Sequence, residues 1–149
     1  MNDLQKLLTH FISFNSHPHA DNYNTVEGII SPADIKEDLN KTMGLLKKDY
    51  VFIDYNPDLD PDDFLKKLIQ SLTLPKTVFI FTTSLKLNPV IFDQLSNFRR
   101  NNSFSLATGK INPEAKLFMV LSGEQNKEVL TTEMYELTDH VLDMRGGIR

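Results

Sequence analysis

Lys48-Asp49-Tyr50-Val51-Phe52-Ile53-Asp54-Tyr55-Asn56-Pro57-Asp58-Leu59-Asp60-Pro61 decides the fold. Its first half holds Tyr50-Val51-Phe52-Ile53, a short run of aromatic and β-branched residues with the composition of a strand. Its second half is a turn of Asn, Pro and Asp that closes on Asp60-Pro61. Pro fits the first helical position, and an Asp just before it accepts from the free N–H groups of the first turn. Phe64, Leu65, Leu68, Ile69 and Leu72 then recur at helical spacing on one stripe. Strand, turn and helix in that order form a unit that repeats on both sides of this stretch.

Downstream, Thr77-Val78-Phe79-Ile80-Phe81 and Lys116 to Leu121 are two more apolar runs which, like Tyr50 to Ile53, lack clean alternation, so all three are expected inside a sheet covered on two faces. Val26 to Ile30, His140 to Met144 and the stretch from Phe11 to Phe14 are further strand candidates. The pair Ser31-Pro32 announces a helix whose stripe is Ile35, Leu39, Thr42/Met43 and Leu46. Asn88-Pro89 announces another, with Ile91, Phe92, Leu95 and Phe98 on its stripe and Arg99 and Arg100 near its negative end. Asn112-Pro113 is expected to be a turn, because Leu117 follows too soon for a helix. Thr131 to Leu137 is read as a last short helix, and Arg99 to Gly109 as a surface excursion or short edge strand. Strands that alternate with helices in this way predict an α/β domain of three layers, a mostly parallel sheet of about five strands with helices on both faces.

The chain has 149 residues, 40% of them hydrophobic and 24% charged, with a net charge of −4 and no cysteine. One domain over 1–149 is the expected organisation, with 1–23 as a poorly ordered or helical arm. At this length roughly 70% of the extended surface is buried on folding, enough for a core without disulfides or structural metal. Absence of cysteine excludes disulfide frameworks, thiolate zinc sites and cysteine nucleophiles. The excess of acids argues against phosphate-neutralising contacts to nucleic acid, and no apolar run approaches the ~20 residues that span a bilayer. A cytoplasmic protein without nucleic-acid partners or membrane insertion is therefore expected.

In open α/β sheets ligands bind at the carboxyl ends of the strands. Asp54, Asn56 and Asp58 follow one central run, Thr82, Thr83 and Ser84 the next, and Ser122 and Gly123 the third. An acid and several hydroxyls on one edge form the candidate ligand- or partner-facing set, and Asp54 is the place where a Mg²⁺ would be held. No other cofactor is expected.

The stretch Lys48 to Asp54 resembles the Walker B strand of P-loop NTPases, particularly the MinD/ParA branch, with Asn56-Pro57-Asp58-Leu59 as the loop that follows. Leu137-Thr138-Asp139-His140-Val141-Leu142 is similar to the entry of a late strand in RecA-like and ABC-type ATPases. The resemblance runs from Gly28 to Arg149 and implies Asp54 as the magnesium-linked carboxylate. A phosphate loop needs G-x-x-x-x-G-K-[ST]. Gly28, Gly44, Gly109, Gly123, Gly146 and Gly147 contain no pair at that spacing, and Gly109-Lys110 is followed by Ile111. The expectation is a pseudo-NTPase without catalytic residues, acting as an interaction or regulatory subunit, with another protein or a second copy as partner.

Two other patterns give alternatives. Asp54, Pro57-Asp58, Thr82 or Thr83 and Lys110 resemble the phosphoacceptor set of receiver domains, although Asn15-Ser16-His17 stands where receivers carry paired acids. His17-Pro18-His19-Ala20-Asp21 resembles the metal motif of metallo-β-lactamase-fold hydrolases, with His17, His19 and Asp21 as ligands, but Asn22 stands where that motif continues with His. The run Asp58, Asp60, Asp62, Asp63 lacks the glycine of a calcium loop and is explained by a helix start. No Gly-x-Ser-x-Gly elbow and no Ser/His/acid set is present.

Overall fold

Short apolar runs separated by amphipathic ones settle into a parallel sheet because only a crossover helix can return the chain to lay the next strand in the same direction. The computed structural model describes residues 2–15, 26–56, 58–82, 87–101, 111–112, 114–122 and 135–144. In chain order the elements are α1 (Asp3–Phe14), β1 (Val26–Ser31), α2 (Lys36–Leu46), β2 (Tyr50–Tyr55), α3 (Pro61–Leu72), β3 (Thr77–Thr82), α4 (Pro89–Asn101), β4 (Lys116–Ser122) and β5 (His140–Asp143). The five strands form one sheet in the order β2-β3-β4-β1-β5, and each neighbouring pair is parallel. This is the α/β architecture expected from the sequence.

Strand order dictates where the helices lie. The step from β1 to β2 crosses β4 and β3 in one direction, whereas β2 to β3, β3 to β4 and β4 to β5 all step the other way. Right-handed crossovers place helices of opposite steps on opposite faces. Accordingly α3 and α4 bury Phe64, Leu65, Leu68, Leu72, Ile91, Leu95 and Phe98 on one face, against Val78, Ile80, Leu117 and Met119. On the other face α2 buries Ile35, Leu39 and Met43 against Ile29, Phe79, Phe118 and Val120. Five strands about 4.8 Å apart present a face about 19 Å across, and one helix covers about 10 Å of it. The second cover is α1, which lies beside α2 with Leu8 and Ile12 fully buried and Phe11 edge-on to Phe118.

Several expectations change. Phe11 to Phe14 is the end of a helix, because Leu4, Leu7, Leu8, Phe11 and Ile12 recur at three- and four-residue steps and Asn2 Oδ1 caps the start by accepting from Gln5 N–H at 2.7 Å. Ser31-Pro32 does not start α2. Ser31 ends β1, and its hydroxyl accepts from the Ala33 N–H at 3.2 Å, an ST-turn, and donates to the Ala33 carbonyl at 2.7 Å, so the helix begins only at Lys36. Asn88 does cap α4, accepting from Val90 N–H at 2.9 Å. Arg99 belongs to α4, which runs through Asn101; 102–110 lie outside the described residues, as do 131–134 of the last expected helix, of which 135–137 form a helical turn. The run Tyr50 to Ile53 forms an edge strand rather than an interior one and is mostly half-buried, while β1, a weaker strand by composition, is buried throughout.

Candidate functional site

At the carboxyl edge of the sheet, β2, β3 and β4 end beside the start of α2 and enclose an open cavity of about 410 Å³. The parallel register brings Asp54 level with Phe81, and both point to the face that α2 covers. The connection from β1 to α2 is only Pro32 to Ile35, so Lys36 emerges directly over this edge. Its Nζ lies 2.8 Å from Asp54 Oδ1 and 4.9 Å from the centre of the Phe81 ring, an ion pair reinforced by a cation–π contact. Asp34 Oδ1 accepts from the Lys36 N–H at 2.9 Å, which occupies a donor at the start of α2. Glu37 and Asp38 add two more carboxylates in the first turn.

Asp54, Asn56 and Thr82 line this cavity, together with Ser122 and Tyr55. Asp58 is not among its lining residues; its N–H donates to Asn56 Oδ1 at 2.9 Å and holds the turn after β2. Thr83, Ser84, Gly123 and Lys110 lie outside the described residues, as do His17, His19 and Asp21. Among the described residues no group of three His, Cys, Asp or Glu is placed to hold a metal ion. Asp54 sits at the end of the edge strand, with β3 and β4 between it and β1. The sheet order also departs from the 2-1-3-4-5 order of receiver domains, so the receiver alternative loses its scaffold. Lys36, Asp34 and Phe81 were missed in the sequence because their convergence depends on strand register; the shortness of the β1–α2 turn was the one available sign.

At the opposite corner the motif around Asp139 ties elements together. Asp139 Oδ2 accepts from Val26 N–H at 3.0 Å, and Oδ1 accepts from Arg99 Nε at 3.0 Å and pairs with its other nitrogen at 2.9 Å. Arg99 also donates to the Glu136 carbonyl at 2.8 Å. One carboxylate therefore joins the end of α4, the start of β1 and the entry to β5, which is a structural role. Next to it, buried Glu27 and His140 meet at 2.8 Å across β1 and β5.

No family model matches the chain, and no curated protein matches it. Solved structures do. A point mutant of RuvB from Thermotoga maritima superposes with a TM-score of 0.57 at 14% identity, covering 93% of this chain and 42% of that one. The structure described as the Thermotoga maritima RuvB Holliday junction branch migration motor gives 0.51 at 13% identity, covering 94% and 42%. The chain shares the fold of the matched part of RuvB. At this identity the likeness is one of fold, and the chain spans 42% of the length of the structures it matches. Among the described residues no helix is long and apolar enough to cross a membrane.

Proposed function

We propose that the chain is a non-hydrolysing P-loop-NTPase-like domain that works in the cytoplasm as a protein-interaction or regulatory part of an assembly. The observation that carries this reading is the content of the turn from β1 to α2. A phosphate loop needs successive glycines whose N–H groups face an anion at a helix N-terminus, and a lysine free to meet the outer phosphates. Here the turn is Pro32-Ala33-Asp34-Ile35, the first N–H of α2 is taken by Asp34, and Lys36 is paired with Asp54. Asp34, Glu37 and Asp38 surround the position with negative charge, which opposes a polyphosphate. The absence of G-x-x-x-x-G-K-[ST] anywhere in the sequence supports the same reading. With no chemistry assigned to the carboxyl edge, the fold serves as a surface, and the edge strand β2 and the exposed side chains of Phe14, Val90 and Tyr135 are what it offers a partner.

Calorimetric titration of the purified chain with ATP and GTP, each with magnesium, tests this. The expected result is no magnesium-dependent binding in the micromolar range and no turnover. Tight magnesium-dependent binding accompanied by hydrolysis that Lys36→Met abolishes would sink the proposal.

A further inference from the structure

The amino-terminal edge of the sheet carries a second cavity, also about 410 Å³, lined by Lys47, Lys48, Asp49, Thr77, Glu114 and Lys116 among others. Lys116 begins β4, an interior strand, and retains only 6% of its surface. Among the described residues its ammonium has no hydrogen-bond or ion-pair partner; Glu27 and Glu114 act on it through space, and Glu27 is already bonded to His140. Its stem is buried while its ammonium lines the cavity, partly desolvated, and an anion there would offset that cost. Lys47 and Lys48 stand exposed at the mouth of the same cavity. Lys47 caps α2 in the left-handed region, at φ 54° and ψ 44°, where glycine is the residue that fits without strain. A lysine thus stands at a position whose backbone favours glycine, at the mouth of the cavity that Lys116 lines.

We propose that this cavity binds a small oxyanion of the phosphate class, held by Lys116 from within and by Lys47 and Lys48 at the mouth. Asp49 and Glu114 also line the cavity, but they are exposed, as Lys47 and Lys48 are; its three lysines outnumber its two acids, and the least solvated of the five is Lys116. Three ammonium groups, each a compact point charge with rotatable donors, suit a tetrahedral oxyanion with several acceptor oxygens better than a planar carboxylate. A cavity of this size is ample for inorganic phosphate or a phosphate monoester. The proposal is independent of the reading of the β1–α2 turn, since the cavity lies at the other end of the strands.

The test is calorimetric titration of the full chain with inorganic phosphate at constant ionic strength, with acetate as the planar control, alongside thermal unfolding of each variant. Wild type should bind phosphate in the millimolar range and acetate much more weakly. Lys116→Met should weaken phosphate at least about tenfold, the loss of one charge-assisted contact. Lys47→Gly should weaken it several-fold while raising Tm, because relief of the left-handed strain and loss of the anion contact act in opposite senses. A purely structural role for Lys47 gives the rise in Tm with phosphate affinity unchanged and counts against the site. Absence of phosphate binding throughout the millimolar range, binding undiminished in Lys116→Met, or acetate binding as well as phosphate overturns the proposal.

Discussion

Lys116 shows how one residue shapes the response of the protein to pH. Burial is the main cause holding its ammonium below the ordinary value of 10.5, and the neighbouring Lys48 pushes in the same direction, while Glu27 and Glu114 pull back. A base whose folded pKa lies below its unfolded one binds fewer protons when folded in the window between the two, so stability rises with pH across that window. Below the window Lys116 is charged in both states and its penalty is present in full. Lys116→Met should therefore raise Tm at pH 7, by about 2–4 °C for each kcal/mol gained, and that advantage should shrink as pH climbs towards 10.5. Thermal melts of both proteins from pH 7 to pH 10 check it; an advantage that stays constant or grows would show that the buried charge is not the cause. The residue that destabilises the fold is the one assigned to the anion, which is the usual relation between a binding site and stability.

Among the elements, α2 carries an avoidable weakness. Gly44 lies in its last turns, exposed, and a Cβ added there meets nothing within 4 Å. Gly44→Ala should stabilise by about 0.5–1 kcal/mol, because it removes backbone freedom from the unfolded chain at no steric cost. A urea midpoint that moves up with an unchanged slope is the expected readout, and a fall would mean that α2 needs local flexibility. The helices were legible where side-chain spacing alone decides: the stripes of α2, α3 and α4 appear in the sequence as they pack in the fold. Caps were less legible, because Asn88-Pro89 and Ser31-Pro32 look alike until the hydroxyl of Ser31 turns on its own backbone. β1 is the weaker strand by composition, with Glu27 and Gly28 in it, and it lies inside the sheet, where buried Glu27 meets His140, 113 residues away in sequence. For the candidate site, Asp54, Asn56 and Thr82 could be placed on one edge from strand ends alone. Lys36 and the lysine cavity could not, since both depend on which strands become neighbours.

At the scale of the whole molecule the two faces of the sheet are covered by different means. Three successive steps in one direction put α3, α4 and the turn at 135–137 on one face, whereas a single step in the other direction supplies only α2. The remaining width of that face, including Phe118, is covered by α1, which precedes the first strand and, among the described residues, meets the sheet through apolar packing. Its contribution should be large because the face it covers is apolar. Leu8 and Ile12 are both fully buried there, and truncation of either to Ala should cost about 2–5 kcal/mol. That is a substantial part of the 5–15 kcal/mol that holds a typical domain together, so Leu8→Ala should lower the urea midpoint strongly with little change in slope. The comparison that isolates the effect is Phe14→Ala, at the end of the same helix, where 68% of the residue is already exposed and stability should change by less than about 0.5 kcal/mol. Equal small losses at Leu8 and Phe14 would mean that α1 docks loosely and that the sheet face beneath it is free for a partner, whereas the unequal losses expected here make α1 part of the folded core and leave only its outer side for recognition.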